Sequence, residues 1–126
     1  MRVFKNKWFT RWARGEDIQD ATLLNIAAEV VAGRVEASLG GCLFKKRISR
    51  TGEGKSGGYR TLVGYKRPNT ERIIFLYAFA KNVRDNISVK EEAALGLAAE
   101  AFILTTDKQL NELLAEGSIW EGQHHE

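Results

Sequence analysis

Leu43-Phe44-Lys45-Lys46-Arg47-Ile48, then Ser49-Arg50-Thr51-Gly52-Glu53-Gly54-Lys55-Ser56-Gly57-Gly58, then Tyr59-Arg60-Thr61-Leu62-Val63, is the stretch that decides the fold. It reads as a charged strand, a glycine-rich turn and a second strand, which makes a hairpin. Side chains alternate across a strand. Phe44 and Ile48 therefore fall on one face, Lys45 and Arg47 on the other. The apolar pair is expected to face the core, which leaves Lys45 and Arg47 on the open face. Lys46 shares the core side and has to snorkel at the edge.

Around this hairpin the charge is concentrated. From Lys45 to Arg72 there are nine Lys or Arg against two acids, a balance of +7, whereas the whole chain carries +3. From Asp85 to Glu126 nine acids face two bases, a balance of −7. The chain is thus polarised, and a polyanion such as nucleic acid is expected to meet the middle.

Downstream, residues 59–66 are the second strand and 71–80 the third, joined by a turn at Pro68-Asn69-Thr70. Ile73 to Phe79 is apolar on both faces, as a central strand requires, with helices on one side and a further cover on the other. Ser88 and Glu91 have capping-box spacing and start a helix of about four turns through Leu95, Ala99 and Phe102. Thr106 and Gln109 repeat the pattern for a shorter helix that ends near Gly117. Ile119-Trp120-Glu121 reads as a last short strand.

Upstream, Arg2-Val3-Phe4 reads as a first strand and Lys7 to Arg14 as a helix. Trp8 and Trp12 lie i, i+4 on one face of it, as core anchors or as a base-stacking surface. Asp17 is the expected N-cap of a second helix whose apolar face is Ile18, Leu24, Ile26, Ala27, Ala28, Val30 and Val31, with Gly33 as its left-handed stop. Gly40-Gly41 is a turn. One domain is expected over residues 1–126, with its sheet core at about 43–80 and its C-terminal helices at about 88–116.

Composition removes several classes of chemistry. The one cysteine, Cys42, makes no internal disulfide and no zinc cage, and suits a reducing cytosol. The two histidines, His124 and His125, stand in the last three residues. No cofactor and no metal site is expected, and a Ser-His-Asp triad has no support. No apolar run approaches the ~18 residues that cross a bilayer, so no membrane partner is expected and the cytoplasm is the expected compartment. Gly54-Lys55-Ser56 is not a nucleotide-binding P-loop, because Ser49 replaces the first glycine and a strand follows instead of a helix. The loop glycines, with Arg50 and Lys55 beside them, are instead suited to gripping a phosphodiester backbone.

Lysine, arginine and tyrosine still suffice to cleave RNA, because the ribose 2′-OH is the nucleophile. The protein has to align it, take its proton, neutralise the phosphorane and protonate the leaving oxygen. Lys45, crowded by Lys46 and Arg47, is the candidate base; simple phosphate binding is the other reading of the same lysine.

Together, Gly-Gly-x-Leu-Phe-Lys-Lys-Arg-Ile, Gly-x-Gly-Lys-Ser-Gly-Gly-Tyr-Arg-Thr-Leu and the run from Phe75 to Ile87 resemble the RelE/HigB toxins of bacterial type II toxin–antitoxin systems, over about Lys5 to Leu104. The resemblance implies an α+β fold: a small twisted, mainly antiparallel sheet with helices packed on one face. It implies a metal-independent mRNA interferase acting on messages in the ribosome, and a cognate helix-turn-helix antitoxin. It assigns catalytic roles to Lys45 as base, Arg47 and Arg60 as phosphate stabilisers, and Lys81 as acid or second phosphate contact. Lys46, Arg50, Lys55, Tyr59, Asn82 and Arg84 become RNA-binding candidates. Asn82 stands where the family carries an arginine, and Ser88 where it carries a stacking tyrosine. Two other readings remain open: a ParE-like inhibitor of DNA gyrase, and a non-catalytic RNA- or ribosome-binding module.

Overall fold

The computed structural model describes residues 1–49, 58–66 and 72–123. Its elements are β1 (Arg2–Asn6), α1 (Lys7–Gly15), α2 (Asp20–Val31), β2 (Ala37–Ser38), β3 (Leu43–Ile48), β4 (Tyr59–Gly64), β5 (Arg72–Ala80), α3 (Val89–Ile103), α4 (Asp107–Glu116) and β6 (Ile119–Glu121). The strands form one sheet in the order β2-β3-β4-β5-β1-β6. Only β1 and β5 pair in parallel; the remaining pairs are antiparallel.

β5 lies near the middle of the sheet and carries apolar side chains on both faces. Ile73, Phe75 and Ala78 join Phe9 and Ala13 of α1 and Leu23, Ile26, Ala27 and Val30 of α2 in one core. Ile74, Leu76 and Phe79 join Ala99 and Phe102 of α3 and Leu110 of α4 in the other. The α+β class and the mainly antiparallel sheet agree with the sequence reading. The placement of the helices does not: they cover both faces. The reason lies in β5 itself, whose two apolar sides each need burial worth about 1.5–3 kcal/mol per large side chain. The cover left unassigned on its second side is a helix pair.

Local signals set the element ends. Asn6 turns β1 directly into α1: its Oδ1 accepts from Phe9 N at 2.7 Å, and its Nδ2 donates to Leu76 O at 2.9 Å. Ser88 and Thr106 cap α3 and α4 with reciprocal capping boxes, as their spacing predicts. Asp17 does not cap α2; Gln19 holds that position without a side-chain bond. Asp17 instead closes α1, at a left-handed φ of 55°. Its N–H donates to Arg14 O, and the N–H of Ile18 donates to Ala13 O. That is a Schellman stop, and aspartate is among the few side chains that tolerate it. Gly33 ends α2 in the same way: its N–H donates to Val30 O, and the N–H of Arg34 donates to Glu29 O.

The α3 helix packs close to the sheet because β4 ends in glycine. A Cβ on Gly64 would lie 3.0 Å from the Ile74 side chain and 3.1 Å from that of Ala99.

Candidate functional site

The register between β3 and β4 builds a group of cations on one face. Lys45 is opposite Leu62, Lys46 opposite Thr61, and Arg47 directly opposite Arg60. Leu43 and Leu62 belong to the α3 side of the sheet, whereas Phe44, Ile48 and Tyr59 belong to the α1–α2 side. Strand alternation therefore sets Lys45, Arg47 and Arg60 on the α3 side. Like charges directly opposite one another destabilise a strand pair. Among the described residues only Arg60 of the two has a carboxylate partner.

Arg60 is only 9% exposed. Its Nε donates to Glu36 Oε1 at 2.9 Å, reaching across β3 toward the sheet edge. Its Nη1 is enclosed and has no hydrogen-bond partner among the described residues, and the same holds for Arg47 Nε and Nη2. A buried donor without an acceptor costs about 1–3 kcal/mol. Guanidinium groups bind phosphate through paired N–H···O bonds, so an anionic oxygen placed between the two arginines would satisfy these donors.

Lys81 joins the same end of the sheet. Ala80 pairs with Tyr59, and the backbone N–H of Lys81 donates to Gly58 O at 3.2 Å. Its Nζ donates to Asp85 O at 3.3 Å, which ties the ammonium to its own turn. Gly58 is constrained by close approach: a Cβ there would stand 2.6 Å from Ile48 O. The strands can meet at the hairpin base only with glycine in that place.

The RNA-binding candidates divide by position. Lys46 lies on the opposite face, its Nζ 3.6 Å from Glu29 of α2, so it does snorkel from the core side. Tyr59 is buried on that face too, its ring perpendicular to Trp12 at 5.0 Å; it is not presented to a base. Asn82 is exposed in the turn after β5. Arg84 is engaged by the protein: its guanidinium makes two bonds to Glu91, at 2.6 and 3.1 Å, and others to Tyr77 Oη and Asn86 O. It also lies over the Phe79 ring. The hydrogen bond from Arg84, helped by the Ser88 N–H, holds the Glu91 carboxyl down at about 2. Arg50, Lys55 and the glycines between them lie outside the described residues, as do His124 and His125.

One contributor escapes the sequence reading. Glu36 precedes a strand of two residues and carries no motif, yet it orients Arg60. Tyr77 packs against Trp8 with ring centroids 4.4 Å apart and the rings tilted by 34°, and Trp8 is 42% exposed, so an aromatic pair stands at the surface where α1 begins. The i, i+4 tryptophans signal it only in part: Trp12 packs on Phe9 and Tyr59, as a core anchor does.

Residues 1–121 match the family described as the RelE toxin of the RelE / RelB toxin–antitoxin system. The chain belongs to the RelE toxin family. Membership makes it the toxin component of a toxin–antitoxin system, with a cognate antitoxin as its partner. No curated protein matches the chain. The basic β3–β4 surface is thus the concentrated positive feature of a RelE-family toxin. No helix among the described residues is long and apolar enough to cross a membrane.

Proposed function

We propose that this RelE-family toxin is a metal-independent mRNA endoribonuclease acting in the cytoplasm on messages held by the ribosome. The observation that carries the reading is the cross-strand pair Arg47–Arg60, two cations held together with three enclosed donors that have no partner among the described residues. In this reading Arg47 and Arg60 hold the scissile phosphate and neutralise the phosphorane. Lys45 Nζ takes the proton of the 2′-OH. The 2′-oxygen forms its bond to phosphorus, and the bond from phosphorus to the 5′-oxygen breaks. Lys81 supplies the proton to that leaving oxygen, so the products are a 2′,3′-cyclic phosphate and a 5′-hydroxyl. Lysine takes a proton only in its neutral form. The antitoxin in this reading is a helix-turn-helix protein, so the complex would bind DNA as well.

The test is to map 5′ ends of cellular mRNA after induction of wild type, Lys45→Ala and Arg60→Ala. New ends bearing 5′-hydroxyl groups are expected with wild type and none with either variant. Growth arrest without new ends, accompanied by supercoiling defects, would overturn the reading in favour of gyrase inhibition. Lys45→Ala that still cuts would remove Lys45 as the base, whereas wild type that binds RNA with salt sensitivity but never cuts would assign a binding module instead.

A further inference from the structure

The α3 helix carries more apolar surface than its packing uses. Its inner side, Leu95, Ala99 and Phe102, sits on the sheet. On the opposite side Ala93, Leu97, Ala101 and Leu104 follow at i, i+4, i+8 and i+11, and all four are exposed. Leu97 and Leu104 are 69% and 70% exposed. A surface helix ordinarily turns charge outward, and this one presents an apolar stripe. The stripe runs into a groove of about 370 Å³ between α3 and α4, whose lining includes Ala101, Leu104, Gln109, Glu112, Leu113 and Glu116.

We propose that this stripe and groove are a docking surface for an amphipathic helix of the cognate antitoxin, one whose apolar face is flanked by Lys or Arg. Charge selects the occupant. α3 and α4 contain Glu91, Glu92, Glu100, Asp107, Glu112 and Glu116 against Lys90 and Lys108. Glu91 is taken by Arg84 and Asp107 by Arg72. Glu112 and Glu116 line the groove, and neither lysine does. A second copy of this chain, docking by the same face, would set these carboxylates against each other. A basic-flanked helix buries the leucines and pairs the carboxylates. The surface lies on the side of α3 turned away from the sheet, so this inference does not rest on the nuclease reading.

The experiment uses the full chain and its antitoxin, taken as the product of the neighbouring gene and purified with it. Calorimetry compares wild type with Leu97→Glu/Leu104→Glu and with Glu112→Lys/Glu116→Lys. Removal of two central anchors is expected to weaken binding about 100-fold. The charge-reversed pair is expected to bind more weakly than wild type and to lose part of its salt dependence. Thermal melts of both variants should match wild type, because the altered side chains are outward. In cells, the leucine variant should still arrest growth while the antitoxin no longer rescues it. Wild-type affinity in both variants would overturn the proposal. So would a free wild-type dimer, seen by light scattering, that the leucine substitutions dissociate, since a second copy would then be the occupant. If the leucine variant fails to fold, the charge-reversed pair decides alone: unchanged affinity refutes the antitoxin helix.

Discussion

Two arginine clusters on the same sheet are treated in opposite ways. Beyond the end of β5, Arg84 meets Glu91 in a two-bond ion pair, bonds Tyr77 and Asn86, and lies over Phe79. Across β3 and β4, Arg47 faces Arg60, Glu36 engages one nitrogen of the latter, and three guanidinium nitrogens are enclosed with no partner among the described residues. The first arrangement is what stability asks for: Arg84 fastens the 81–88 turn to the first turn of α3 through the same Glu91 that completes its capping box. The second works against stability, because it combines like-charge repulsion with unmet donors. A site built to grip an anion, as proposed for Arg47 and Arg60, would keep its donors free of internal acceptors, and the fold would bear the cost. Residue type alone does not separate the clusters; partners do.

The comparison breaks most visibly at its functional pole. Arg47→Met or Arg60→Met should lower cleavage by about 10²–10³-fold, the loss typical for one preorganised donor to a developing anion. Quantified 5′ ends at matched protein levels measure this. Arg47→Met should also raise stability by roughly 1 kcal/mol, because an apolar side chain replaces unmet donors. A thermal melt then moves up by about 4 °C. A variant that loses both cleavage and stability would mean that Arg47 is structural, and the contrast with Arg84 would fall.

At the structural pole the signs reverse. Arg84→Ala should lower the melting temperature and leave cleavage by the folded protein intact, since its partners are carboxylate, phenol and carbonyl of the chain itself. The pH dependence sharpens this. Glu91 titrates at about 2 when folded, against an ordinary 4.5. A carboxyl depressed by folding contributes stability that is present above its unfolded value and is lost as pH falls through its folded one. The Arg84–Glu91 contribution should therefore fade between about pH 4.5 and pH 2, and Glu91→Gln should remove that segment of the acid-unfolding curve. Equal acid profiles for wild type and Glu91→Gln would show that the pair does not secure the turn.

The smallest effect is expected from Lys46→Ala. Its ammonium lies 3.6 Å from a half-exposed Glu29, a geometry worth less than about 1 kcal/mol. On the face away from Arg47 and Arg60, it should leave cleavage within a few-fold of wild type. A loss matching that of Arg47→Met would show that face does not divide function as the strand register does.

How legible this was from sequence depends on the range of the interaction. The alternation of Leu43 to Ile48 reveals which cations share a face, because a strand has period two and the apolar pair Phe44 and Ile48 chooses the core side. The capping boxes at Ser88 and Thr106 and the stop at Gly33 are similarly local. Asp17 misleads because the same residue type serves the start of one helix and the stop of another, and only the backbone at φ 55° decides. The helices on the second face, the parallel insertion of β1 beside β5, and the two-residue β2 are fixed by distant partners. The pairing of Glu36 with Arg60, 24 residues away, leaves no local trace. Arg84 looks like any other basic residue near the hairpin until Glu91 is seen to close on it. Which cations share a face was therefore readable, whereas which of them the protein itself engages required coordinates.

The most direct measurement takes wild type and Arg47→Met in the same cells, at equal protein level, and reads mRNA 5′ ends beside a thermal melt of each purified protein. Abundant new ends for wild type, none for the variant, and a variant melting at or above the wild-type temperature are the results that an open, anion-gripping arginine pair requires. Undiminished cutting at the same positions by Arg47→Met, or a variant that cuts nothing because it melts far below wild type, would contradict it.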